Sequence, residues 1–223
     1  MKLSVVLFLI AISTALAGSS TVKTLVFPAP SSNSYVELIP RTRLRLRAFT
    51  LCMRVATELT GYRSIILFSY RTSNRDELNV WRDYYGGLSL FLGENSGGAK
   101  FKVPDPKALE THLCVTWESS YGATNFYVDG RKSVTKIYKH GHTTLAGGRI
   151  ILGQDTDSVV GKFDYYESFV GEISDVNMWS YVLSESAIQQ MACGGRLKSG
   201  NVINWGSTRM TLHGNVDVLH HKL

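Results

Sequence analysis

After its first twenty residues this sequence has no stretch of 18 apolar residues, so nothing there can cross a bilayer as a helix. Cysteine is scarce: Cys52, Cys114 and Cys193 are the three. No C-x-x-C or H-x-x-x-H spacing accompanies them, which excludes the common zinc frameworks. Five prolines and 19% charged residues leave no linker and no low-complexity tract, which excludes a long disordered arm. Asn-x-Ser/Thr sequons are absent, so N-glycosylation is not expected. Also missing is a tight E-x-D-x-x-E strand, in which a glycosidase of jelly-roll type would carry its paired acids.

The segment that does look apolar is the start. Lys2 precedes an apolar run from Val5 to Ile12 that is too short to span a membrane, and Ala15-Leu16-Ala17 gives a small-x-small cleavage site. Residues 1–17 therefore read as a secretory signal peptide, and 18–223 as one mature domain, secreted and not inserted in a membrane. From residue 24 onward apolar and polar residues alternate in short segments such as Tyr35–Leu38, Phe49–Val55, Leu88–Leu92, His112–Trp117 and Thr124–Val128. Period-two alternation means strands with one buried face, and Asp129-Gly130, Gly86-Gly87 and Gly147-Gly148 supply turns between them. The fold class is all-β, one β-sandwich, with a single short helix on one face. That helix has Ser184 as N-cap, helical composition over Ala187–Ala192 and Gly194-Gly195 as its stop.

Export places the cysteines in an oxidising compartment. Cys52 alternates with Thr50 and Arg54, and Cys114 with His112 and Thr116, so two matching strands side by side would allow a bridge. Cys193 is left over at the helix end, either buried and inert or an intermolecular link, with burial the favoured reading. The net charge is +6, and its one dense stretch runs from Arg41 to Arg47 with an arginine at every second position. It reads either as a strand with one basic face that binds anionic polymers, or as an edge strand guarded by charge.

The stretch Gly153–Glu167 holds Asp155, Asp157, Asp164 and Glu167. Calcium takes six to eight oxygens and suits short loops with alternating acids. Asp155 and Asp157 can turn to one side while the Thr156 carbonyl fills the gap, and Asp164 and Glu167 return from the far arm. The spacing is not that of an EF-hand. A calcium site, a solvated acidic loop and a catalytic carboxylate pair are all open on this chemistry alone.

His112, Cys114, Thr116, Trp117 and Ser119 fit the motif H-x-C-x-[ST]-W-x-S at every fixed position. Val26–Pro28, Phe49–Cys52, Phe68–Tyr70, Val128–Gly130, Ile151–Gln154, Val176–Trp179 and Asn201–Trp205 extend the match over the mature chain. On these residues the sequence resembles the pentraxin family, in its short branch. The resemblance implies a flattened jelly-roll sandwich related to legume lectins, a Cys52–Cys114 disulfide and a ring, usually a homopentamer. It also implies two calcium ions per subunit that bridge to phosphate or carboxylate groups of ligands. The metal ligands carried over are Asp76, Asp155, Thr156, Asp157, Asp164 and Glu167, with Asp157 between the two ions. Glu167 stands where the family has a neutral glutamine, which should tighten the hold on a cation.

This chain departs from the family at several of these positions. A one-residue deletion after Asp76 removes a family asparagine, leaving Glu77 as a candidate replacement. In the implied ligand pocket Trp81 matches an apolar wall and offers a cation–π face. Phe91 replaces a small threonine and would fill the pocket. Ser96, with Glu94 nearby, replaces a glutamate that meets the choline nitrogen. Ala192 replaces a tyrosine used for complement engagement. The expected function is a secreted, calcium-dependent pattern-recognition lectin of innate immunity and the acute phase, not an enzyme. Its expected partners are phosphocholine- or phosphoethanolamine-type and polyanionic ligands, with a complement component as a further one. A LamG-like adhesion module and a jelly-roll glycoside hydrolase are the alternatives.

Overall fold

A computed structural model describes residues 21–93, 97–156, 163–195 and 199–222. In chain order the strands are β1 (Thr21–Phe27), β2 (Tyr35–Ile39), β3 (Ala48–Ala56), β4 (Ile65–Arg71), β5 (Asp76–Arg82), β6 (Leu88–Phe91), β7 (Ala99–Phe101) and β8 (Thr111–Glu118). They continue as β9 (Ala123–Val128), β10 (Arg131–Lys132), β11 (Lys136–Ile137), β12 (Arg149–Leu152) and β13 (Gly171–Trp179). The helix α1 (Glu185–Ala192) follows, then β14 (Arg209–His213) and β15 (Asp217–Lys222). All pairings are antiparallel and form two sheets. One has the order β10-β9-β8-β3-β13-β1-β15, with β11 also on β9; the other runs β14-β2-β12-β4-β5-β6-β7. The expected two-sheet sandwich with one short helix is what the chain forms. The expected signal peptide, residues 1–17, lies outside the described residues.

The alternation explains the packing. Along β8, Leu113, Val115 and Trp117 enter the core between the sheets, against Leu51, Met53 and Val55 of β3 and against Phe126. The signature residues of opposite parity, His112, Cys114 and Thr116, face outward. There Cys52 and Cys114 are direct cross-strand partners and form the disulfide. The bridge closes 62 residues of chain, worth about 4 kcal/mol on the chain-entropy view. Helix α1 covers it: Ile188 is fully buried with Tyr127 and Trp179 beside the two sulfurs. Ser184 accepts from the Ala187 N–H as the N-cap. The Asp129-Gly130 turn has positive φ at both central residues, 49° and 75°, as a two-residue hairpin of this twist requires.

Two expectations are corrected. Cys193 is exposed, not buried. It lies five residues beyond Ile188, about 140° around the helix from the face that packs. Nor is Arg41–Arg47 a strand. It is an irregular crossover from β2 in one sheet to β3 in the other. Its backbone bonds go to Val202, Thr144 and Ser119 instead of to a neighbouring strand.

Gly153 ends β12 with φ +90°, and a Cβ there would lie 2.3 Å from the Phe27 ring. That ring is fixed in the core, edge-on to Phe169 at 5.6 Å. Gly153→Ala is expected to cost roughly 2–5 kcal/mol in urea unfolding, combining left-handed strain with overpacking; a loss below about 1 kcal/mol would contradict this account.

Burial, with a further push from Arg54 and against the pull of Asp129, lowers His112 to about 4. It is therefore neutral in the fold, while in the unfolded chain it titrates near ~6.5. Between those values only the unfolded state binds the proton. The contribution is fully present above pH ~6.5 and falls by roughly 3 kcal/mol as pH drops to about 4. His112→Gln should flatten this part of the stability–pH curve relative to wild type; parallel curves between pH 4 and 6.5 would count against it.

Candidate ligand and metal site

The outer face of the seven-stranded sheet gathers most of the candidate residues. Along β5, Leu78 and Val80 point into the core, so Asn79 and Trp81 point out. Along β4, Phe68 and Tyr70 point in, and Ser69 faces out directly opposite Asn79. The chain leaving β12 turns at Gly153 and lays Asp155 over this pair. The Asp155 Oδ1 accepts from the Asn79 Nδ2 at 3.0 Å and from the Ser69 Oγ at 3.3 Å. The hydroxyls of Thr156 and Ser69 are 3.3 Å apart. Asp155 and Thr156 are both buried. Gln154, fully buried, anchors the turn from the other side by donating its amide to the carbonyls of Ser31 and Ser34.

The far arm of the loop attaches to the same strand. The Glu167 carbonyl accepts from the Ile66 N–H at 3.2 Å, and Asp164 Oδ1 accepts from the Tyr166 N–H at 2.7 Å. Arg63 braces this arm, donating to the carbonyls of Tyr165 and Ser168 at 2.8 and 2.9 Å; burial lowers its pKa. The contact points on β4, Ile66 and Ser69, are three residues or about 10 Å apart. Asp157 lies outside the described residues, as do Glu94 and Ser96.

Asp76 opens β5 opposite Arg71, whose Nη1 donates to it at 2.7 Å. A shift in register beside it sends Glu77 elsewhere. The Glu77 carboxylate is fully buried and accepts from the Arg75 Nε and the Leu145 N–H, each at 2.7 Å. It pins the 144–148 loop at Leu145. Phe91 stands directly opposite Asn79 on β6, with its ring against Gly98, where a Cβ would come within 2.7 Å. Trp81, half-buried, stands opposite Ile66, where the Glu167 arm attaches.

Asn79 and Ser69 were missed as site residues in the sequence. The signal was present in the alternation of Leu78-Asn79-Val80-Trp81 and Phe68-Ser69-Tyr70, which puts them on an outward face. The partner across the sheet was not readable.

The expected Asp164 and Glu167 carboxylates are not among the contacts of this junction, where the oxygens that meet are the Asp155 carboxylate and the hydroxyls of Thr156 and Ser69. That set fits a hard cation such as calcium and does not suit zinc or copper. Among the described residues the acidic side chains do not close into a group of three, whereas Cys52, His112 and Cys114 converge on the opposite sheet. The two sulfurs are bonded to each other, which removes them as ligands. A groove of about 850 Å³ also opens on that sheet, beside α1, lined by Arg54, Asp175, Trp179 and Trp205. It holds none of the described acidic-loop residues.

The Pentaxin family model matches residues 23–219. C-reactive protein of Danio rerio is 48% identical over 196 residues, covering 87% of each chain. C-reactive protein of Homo sapiens is 39% identical over 195 residues, covering 87% of this chain and 86% of that one. Serum amyloid P-component of Cavia porcellus is 38% identical, covering 86% and 84%. Among solved structures, the native heptameric SAP-like pentraxin from Limulus polyphemus superimposes with a TM-score of 0.76 at 25% identity, covering 88% of this chain and 94% of its own. That neighbour is a jelly-roll sandwich, as expected for this chain. These relatives are recognition proteins without enzymatic activity, and members of their family bind calcium. The chain belongs to the pentraxin family.

Proposed function

We propose that this protein is a secreted pattern-recognition lectin of innate immunity that uses calcium to bind phosphate-bearing or anionic ligands. The observation that carries the proposal is the junction of Asp155, Thr156, Asn79 and Ser69 on the outer sheet face, flanked by Trp81 and Phe91, in a chain of this family. Asp155 and Thr156, with Asp157, Asp164, Glu167 and Asp76, would hold two ions per subunit. Bound there, calcium supplies open coordination positions for the charged oxygens of a phosphate or carboxylate. The protein's own part is orientation. Asn79 and Ser69 hold the Asp155 carboxylate in one rotamer on a rigid strand pair, so little ordering remains when a cation arrives. Asn79 also restores an amide beside the acids, the donor type that the deletion after Asp76 removed.

Ligand choice follows from the two aromatic residues. Trp81 offers a face for a quaternary ammonium. Phe91 occupies the position beside Asn79 where a smaller residue would leave a slot. Relatives of this chain are secreted, and among the described residues no helix is long and apolar enough to cross a membrane. Assembly into a closed ring, of about five subunits by the family resemblance, would convert weak single contacts into avidity for surfaces; the SAP-like neighbour from Limulus polyphemus is heptameric.

Calorimetry in calcium tests the metal site. Asp155→Asn is expected to weaken calcium binding at least tenfold, about 1.4 kcal/mol, and Asn79→Leu to weaken it by a smaller factor, with both variants folded by circular dichroism. Unchanged affinity in both would refute the site. Competition on one immobilised phosphate ligand tests the pocket. Phosphocholine and phosphoethanolamine should compete within about tenfold of each other, near 1.4 kcal/mol. A larger advantage for phosphocholine would show that Phe91 leaves the choline slot open.

A further inference from the structure

The crossover between β2 and β3 carries arginine at positions 41, 43, 45 and 47, and all four side chains are exposed. The residues between the last three, Leu44 and Leu46, are buried in the core. The backbone is tied to the rest of the fold at both ends and at Leu44 and Leu46. The Arg41 N–H donates to the Val202 carbonyl, and the Ser119 N–H donates to the Arg47 carbonyl. Thr144 is bonded to the carbonyls of Leu44 and Leu46 and to the Leu46 N–H. The Arg45 N–H also donates to the Arg43 carbonyl at 2.9 Å, a tight turn about Leu44 that draws Arg43 and Arg45 together.

Elsewhere in the fold, Arg54, Arg71, Arg75, Arg82 and Arg149 are paired with carboxylates, while Arg63, Arg131 and Arg209, which are not so paired among the described residues, stand singly and not in an alternating row. Arg41 donates to the Ser207 hydroxyl at 2.8 Å. Arg43, Arg45 and Arg47 have no carboxylate partner among the described residues. A row of like charges is thus held on one rim by a fixed backbone, in a chain of net charge +6. Guanidinium forks match oxyanions in bidentate geometry, and a pre-ordered row loses little freedom on binding a chain of them. Residues 40–47 contain no aromatic side chain on which unstacked bases could lie, which disfavours single-stranded nucleic acid.

We infer that this arginine rim is a second, calcium-independent binding site for a sulfated polysaccharide. It uses none of the residues assigned to the metal site. The test is titration of a size-defined heparin oligosaccharide in excess EDTA. Wild type should bind, with affinity falling steeply as salt rises. R43S/R45S should bind at least tenfold more weakly, R43K/R45K should recover part of the loss, and R131S/K132S, on a different edge, should stay within twofold of wild type. Absence of binding in EDTA, equal loss in the R131S/K132S control, or equal affinity for duplex DNA of matched length would each overturn the inference.

Discussion

A carboxylate under a loop on a sheet face is stable only if polar groups meet it there, because leaving a buried charge or polar group unmet costs several kcal/mol. Asp155 is such a group, 8% exposed, and the amide of Asn79 and the hydroxyl of Ser69 meet it from two adjacent strands. The remainder of the site depends on this contact. It fixes where the chain leaving β12 crosses the sheet, and so where Thr156 sits and where the acidic loop starts. Gly153 makes the crossing possible by turning the backbone against the Phe27 ring.

The sandwich separates its duties by face. On the seven-stranded sheet, the outward positions Ser69, Asn79, Trp81 and Phe91 are polar or aromatic, with Ile66 and Ile151 beside them, and Ser69 and Asn79 meet Asp155. On the eight-stranded sheet, outward positions around Cys52 and Cys114 are sealed by α1 and serve stability. His112 belongs to that second group: its neutral ring is buried beside the disulfide, so its place in the family motif reflects packing and not ligation. Beside it Arg54 donates to Glu110 and to the Met191 carbonyl, tying strand, loop and helix end together. Burial raises the pKa of Asp175 in the neighbouring groove, with Arg54 and Asn177 opposing.

Much of this was legible without coordinates. Alternation identified the strands and assigned their faces, Ser184 and the paired glycines bounded the helix, and matching parity made a Cys52–Cys114 bridge feasible. Where the reading failed, a contact distant in the chain had intervened. Arg41–Arg47 has the alternation of a strand, yet Thr144, Val202 and Ser119 take its backbone bonds. Glu77 looked available to the acidic cluster until the register shift in β5 turned it toward Arg75 and Leu145.

By itself, then, the sequence determined which residues face in and which face out, since that depends only on a two-residue period, and it determined that an acid-rich loop follows Gly153. Tertiary structure decided which outward residues meet. Asn79 lies 76 residues from Asp155, and only the pairing of β4 with β5 and the return of the β12 loop bring them within a hydrogen bond. A slip of one residue in that pairing would turn Asn79 into the core and expose Leu78 and Val80, so the alternation opposes it, but no local pattern in the chain records that Ser69 stands opposite Asn79 or that the loop after β12 returns over them.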